Sequence, residues 1–173
     1  MRGERTAISN DGERRIEPSR PGPQIGRISD AFLFLQIFAF AAAVPCLLRL
    51  KLSRVAGALE PCGDLPPVDE NRVRKITAYV ETAMRRGSPL VRPGCLTRGV
   101  TRYYFFRRCG MDVELCFGMG RLDRLDKAFM GHCWLVKDGE PFLEPEDPRP
   151  LYAEMYRISP ASSRASAPAN ATN

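Results

Sequence analysis

Histidine is almost absent from this chain: His132 is the only one among 173 residues. Most zinc-enzyme sites built from protein ligands need two or three imidazoles, so they are excluded. The six cysteines (Cys46, Cys62, Cys95, Cys109, Cys116 and Cys133) form no CxxC pair and show no framework spacing. A zinc knuckle or a disulfide scaffold is therefore not expected. Several of them lie in apolar or periodic stretches, where a free thiol behaves as a small hydrophobe. Reduced thiols point to a cytoplasmic setting. No basic stretch is interleaved with aromatics in an RNA- or DNA-binding pattern, so no nucleic-acid partner is expected. There is no internal repeat.

What is present suits one soluble globular domain. Hydrophobic residues make up 44% and charged residues 27% of the sequence. The length leaves no room for a second, cofactor-binding half. The net charge of +6 is unevenly spread. Residues 49–108 carry 13 Lys/Arg against 5 Asp/Glu, whereas residues 109–150 carry 5 against 9. A basic block can face an anionic surface, or it can be a solvated Arg-rich face.

Residues 1–28 are rich in Arg, Pro, Gly and Glu and read as a disordered arm, too long and polar for the front of a signal peptide. Residues 159–173 read as a disordered Ser/Ala/Pro tail. Between them, residues 31–48 (AFLFLQIFAFAAAVPCLL) are the most apolar run, with basic residues on both sides. Spanning a bilayer takes roughly 20 apolar residues, so the run is borderline. It can form a helix that contacts a membrane or one buried against the domain, and the basic helix Leu47–Leu59 is expected to continue from it. Residues 29–60 thus form a hydrophobic and basic helical segment. A catalytic domain is expected over residues 69–158.

Asp69 is an N-cap candidate, followed by Val73, Ile76, Val80, Ala83 and Met84 at helical spacing up to Gly87. Pro93-Gly94-Cys95 then opens a helix running to Arg108, with Leu96, Val100, Tyr103 and Phe106 inward and Gly110 as a stop. From Met111 to Phe117 the period becomes two, which predicts a strand. A polar loop over residues 120–129 leads to a second strand, His132–Val136, and Asp138-Gly139 signals a hairpin to a returning strand, Pro141–Glu144. Helices first and an antiparallel meander after them predict an α+β domain.

Cys95 stands where a reactive thiol would stand. The free N–H groups and positive dipole end of a helix start favour a thiolate. A general base for a thiol is normally histidine, and His132 follows 37 residues later at the start of a strand. A third member should be an acid on the returning strand. A two-residue Asp138-Gly139 loop would pair His132 with Pro145 and leave Glu144 on the wrong face. A three-residue loop, Lys137-Asp138-Gly139 with Gly139 left-handed, would pair Val136 with Glu140 and set His132 opposite Glu144. Directly opposed side chains lie about 4.5–5.5 Å apart at Cβ. The three-residue loop is the expectation, and Glu146 is the fallback acid.

Gly94-Cys95-Leu96 at a helix start, Cys109-Gly110-Met111 into a strand, Gly131-His132-Cys133-Trp134-Leu135 and Asp138-Gly139 together resemble the transglutaminase-like cysteine-protease fold. More narrowly, they resemble the lasso-peptide biosynthesis B2 proteins, over roughly Pro45–Asp147, including the upstream stretch PCLLRLKLSRVAGAL. The resemblance implies a papain/transglutaminase-like α+β fold, with the catalytic Cys at a helix N-terminus packed on a small antiparallel sheet. It implies a leader peptidase with Cys95 as nucleophile, His132 as base and Glu144 as orienting acid. It implies no cofactor and no metal. Its partners would be a precursor leader peptide, a separate leader-recognition protein and an asparagine-synthetase-like cyclase. Two positions depart from the family pattern: Glu144 stands where Asp is usual, and Cys133 stands where Ala is usual between His and Trp. Two other readings remain open at this point. One is acyl transfer through the same thioester. The other is a catalytically silent scaffold or membrane-associated binding module, with residues 31–48 touching a membrane surface.

Overall fold

The computed structural model describes residues 28–50, 52–61, 65–120 and 131–160. The expected disordered arm and tail, the polar loop at 120–129 and Cys62 lie wholly or almost wholly outside the described residues. Four helices precede four strands: α1 (Ile28–Leu47), α2 (Leu52–Leu59), α3 (Glu70–Arg86), α4 (Cys95–Arg108), β1 (Glu114–Gly120), β2 (Gly131–Lys137), β3 (Glu140–Phe142) and β4 (Tyr152–Ile158). The expected α+β order is observed.

Helix α1 buries Leu33, Ile37, Ala41 and Val44, a stripe at helical spacing that packs on α3 and α4. Its N-terminus is tied to α3 by Lys75, whose ammonium lies 2.7 Å from the buried Asp30 carboxylate. Phe40 stacks on Tyr104 of α4, ring centroids 4.1 Å apart. The helix runs through Pro45, which has no N–H to donate to the Ala41 carbonyl, and ends two residues later. The helix expected to be unbroken over 47–59 is instead interrupted. The chain turns at residues 48–50, and α2 starts at Leu52. The change of direction lets Val55, Ala56 and Leu59 enter the same core as α1.

Asp69 caps α3 as its position suggested, its side chain accepting from the Arg72 N–H at 3.1 Å. Val73, Ile76, Val80, Ala83 and Met84 are all buried. Val100, Tyr103 and Phe106 of α4 are buried too, while Leu96 is half-buried. One apolar cluster runs from Leu33 to Ile158, so the 29–60 segment and the 69–158 segment share a single core.

The sheet is antiparallel in the order β3-β2-β1-β4. Leu115, Cys133, Leu135 and Ile158 belong to the main core with the helices. By strand alternation Cys116, Trp134 and Val136 point to the other face, where they form a small cluster covered by Tyr152. Strand β4 is absent from the sequence reading. Most of its residues are exposed along a sheet edge, so it lacks the apolar alternation that marks a half-buried strand.

The hairpin differs from expectation. Lys137 pairs with Glu140, Val136 with Pro141 and Leu135 with Phe142, which leaves a two-residue turn, Asp138-Gly139. Both turn residues have positive φ, +51° and +83°, the signature of a type I′ turn. That geometry matches the right-handed twist of the flanking strands, and Asp-Gly is among its preferred pairs. The three-residue loop is therefore corrected. The returning strand is also shorter than Pro141–Glu144, ending at Phe142.

Candidate active site

Cys95 is the first residue of α4. Gly94 occupies the N-cap with no side-chain cap bond, although its carbonyl accepts from the Arg98 N–H at 3.0 Å. A Ser or Asp there would satisfy an early N–H of the helix. Glycine leaves those donors for an anion at the helix start. The half-buried Cys95 thiol lies 3.9 Å from the carbonyl oxygen of Gly131, the residue immediately before His132. The height of the thiol over the sheet is set one turn further along α4. A Cβ at Gly99 would lie 2.7 Å from the Cys133 Sγ, so only glycine lets α4 sit this close to β2.

His132 lies in the second position of β2, its Nε2 3.1 Å from Glu144 Oε2. Alternation puts Cys133 and Leu135 toward α4 and His132 with Trp134 on the far face. A thiol–imidazole contact therefore has to be made round the end of the strand, at Gly131. The imidazole stacks on Trp134, centroids 5.9 Å apart and planes at 15°, and packs against Tyr152 at 4.9 Å. Gly118 is the cross-strand partner of His132. A Cβ there would come within 2.7 Å of the Trp134 ring, so its absence lets the indole lie flat behind the imidazole.

In an unbroken ladder from this turn, Glu144 would stand opposite Cys133 and share its face. It bonds His132 because the ladder stops at Phe142, two residues earlier. Leu143 has φ +61°, in the left-handed region that leucine rarely adopts. The one-residue offset expected in the loop is thus supplied at Leu143. Glu144 is brought to His132 by a bend in the chain rather than by strand register. Glu146, the fallback, is exposed two residues further on. The loop is drawn back on itself by Arg149, which donates to Glu140 at 2.6 Å and to Asp147 at 2.9 Å. The hydrogen bonds from the Arg149 side chain and backbone N–H hold the Asp147 carboxyl below its ordinary range.

One turn along α4 from Cys95, Glu81 of α3 accepts from Arg102 at 2.9 Å and pairs by charge with Arg98 at the same distance. Burial pulls the Arg102 guanidinium below its ordinary value, opposed by Glu81 and, more weakly, by Glu144. The other thiols divide clearly. Burial pushes Cys116 up to about 12, Cys133 well above the ordinary range and Cys109 upward. Cys46 is exposed. Among the described residues, then, Cys95 and Cys46 are the accessible thiols, and Cys95 alone stands at a helix start.

A family model, described as the transglutaminase-like superfamily, matches residues 37–157. The chain belongs to the transglutaminase-like superfamily. The match starts inside α1 and ends within β4, so it takes in both halves of the core. Members of this superfamily are often cysteine peptidases or acyltransferases. No curated protein and no solved structure matches the chain. Sequence reading named Cys95, His132 and Glu144 but missed Leu143, Gly118 and the Glu81–Arg102 pair. Leucine carries no left-handed signal, and a glycine inside a strand announces a close approach without saying to what.

Proposed function

We propose that this transglutaminase-like protein is a cysteine peptidase that removes the leader from a ribosomally made precursor in lasso-peptide maturation. The observation that supports the cysteine-peptidase chemistry is the His132–Glu144 hydrogen bond at 3.1 Å, with the helix-starting Cys95 thiol 3.9 Å from the carbonyl of the adjacent Gly131, while the lasso-peptide part rests on the motif resemblance. With Glu144 on Nε2, the Nδ1 nitrogen is left to exchange a proton with the thiol. The Cys95 sulfur attacks the scissile carbonyl while His132 takes the thiol proton. As the tetrahedral intermediate collapses, the C–N bond breaks and His132 gives that proton to the leaving amine. The leader side is then held as a thioester. Water, deprotonated by His132, hydrolyses it and restores the thiol. Glu144 holds the imidazole in the required tautomer and stabilises it when charged. The freed core peptide would pass to an asparagine-synthetase-like cyclase, and a separate leader-recognition protein would deliver the precursor.

The test is leader release followed by mass spectrometry, with precursor and leader-recognition protein supplied. Wild-type protein should cut the precursor and Cys95→Ala should not. Normal turnover by Cys95→Ala would overturn the assignment. Transfer of the acyl group to an added amine in place of water would favour acyl transfer. A second assay is alkylation at neutral pH in a Cys46→Ser background, in which Cys95 should be labelled first.

A further inference from the structure

Helix α1 presents a second apolar stripe, opposite the one it buries. Ile28, Phe32, Leu35, Ala39, Ala43 and Cys46 recur at helical spacing, and all are exposed. Ile28 is 93% exposed, and Phe32 and Leu35 are 61% exposed. Leu50, 47% exposed, extends the line beyond the last turn. The only acidic residue of α1, Asp30, is buried against Lys75 on the other side, so the stripe carries no negative charge. Both ends are basic: Arg27 immediately precedes the helix in sequence, and Arg49 and Arg54 are exposed just after it.

We infer that this face of α1 docks on an anionic membrane surface, lying in the interface with the catalytic-type domain above it. By length and composition alone the helix could cross a bilayer. Packing excludes that while the domain is folded, because Ile37, Ala41 and Val44 are fully buried against the other helices. An interfacial helix sinks its apolar side about 5–10 Å into the headgroup boundary and keeps its basic residues among the headgroups. The stripe and its basic ends match that arrangement. A second copy of the chain does not fit as well. Either orientation of two α1 helices face to face would bring basic ends together, because both ends carry the same sign. The inference is independent of the chemistry assigned to Cys95.

The test is vesicle flotation of the full chain at low salt. One vesicle is pure phosphatidylcholine, and the other contains 30 mol% phosphatidylglycerol as a roughly physiological anionic fraction. The protein should float with anionic vesicles, much less with neutral ones, and be released by about 0.5 M salt, where charge attraction is screened. Phe32→Glu with Leu35→Glu should reduce binding at least tenfold. Arg49→Glu with Arg54→Glu should remove the preference for anionic lipid. Both pairs lie on exposed positions, and an unchanged circular dichroism spectrum would show that the fold is kept. Three results would overturn the inference: no flotation by wild-type protein, binding that survives the Phe32/Leu35 substitutions, or a stable dimer in light scattering that those substitutions dissociate.

Discussion

The two sides of the candidate site are held by different means. Cys95 is placed by ordinary secondary structure: a glycine N-cap, a regular helix and a close helix–strand approach at Gly99. Glu144 is placed by an irregularity, a left-handed leucine that ends β3 and turns the next residue toward His132. A helix start is stable under many substitutions nearby. A single residue in an unfavourable backbone region is not, and such residues persist where surrounding structure over-determines them. The acid side should therefore be the fragile one.

The sharpest test of that contrast removes the carboxylate without moving it. Glu144→Gln keeps the shape but favours the wrong imidazole tautomer, and kcat/KM for leader release should fall by about two orders of magnitude or more. The melting temperature should hardly change. An equal fall in stability would mean that Glu144 is structural.

Leu143 should separate stability from placement. Leu143→Gly relieves the left-handed penalty and should stabilise the fold by about 0.5–1 kcal/mol, with activity within about threefold of wild type. Leu143→Val puts a β-branched side chain at positive φ, where it should destabilise by about 1 kcal/mol or more and lower activity at least about tenfold. Denaturant midpoints and leader-release rates measure both. If the two variants behave alike, the bend does not position Glu144.

Behind the imidazole, Gly118→Ala should act on rate more than on binding. The added methyl must displace Trp134, on which His132 stacks, and a fall in kcat of about tenfold with a smaller change in KM is expected.

A smaller and different effect should appear in alkali. An unfolded cysteine ionises near pH 8.5, while folded Cys116 is held up to about 12. Between those values the unfolded chain has lost a proton that the fold retains, so stability falls as pH rises through that window. Cys109 and Cys133 shift in the same direction. Thermal melts from pH 8 to 11 should show the decline, and Cys116→Ala should flatten it. Smallest of all should be Arg149→Ala. Its exposed ion pairs tether the Glu144 loop but are worth little in water, so a rate change within about threefold is expected.

Much of the fold could be read from the chain because its devices are local. Asp69, Gly87, Gly94 and Gly110 mark helix ends, and periods of 3.6 and two separate α3 and α4 from β1 and β2. The sequence also points to the pairing of His132 with Glu144, but for a different reason. Gly139 suits the left-handed third position of a three-residue loop, and that register sets His132 opposite Glu144. In the structure the Asp138-Gly139 turn obeys strand twist, and the offset moves to Leu143. Nothing in Phe142-Leu143-Glu144 distinguishes a strand from a strand that has just ended. Strand β4 was illegible for the opposite reason. Backbone pairing with β1 holds it, and its side chains mostly face water.

The gap at Gly99 carries a consequence for how this chain can vary. The space that a side chain would need there is already taken by the Cys133 sulfur. The two positions therefore share one allotment of volume, and neither is free to drift alone. Gly99→Ala by itself should lift α4 from β2 and carry Cys95, one turn away, out of reach of the end of the strand. Paired with Cys133→Ala it should be tolerated, because the remaining neighbours, Leu115 Cδ1 at 3.4 Å and the Cys133 carbonyl at 3.6 Å, leave room for a methyl. Sequences of this fold should then trade bulk across these two sites, small for large, in a seesaw with the nucleophile at one end.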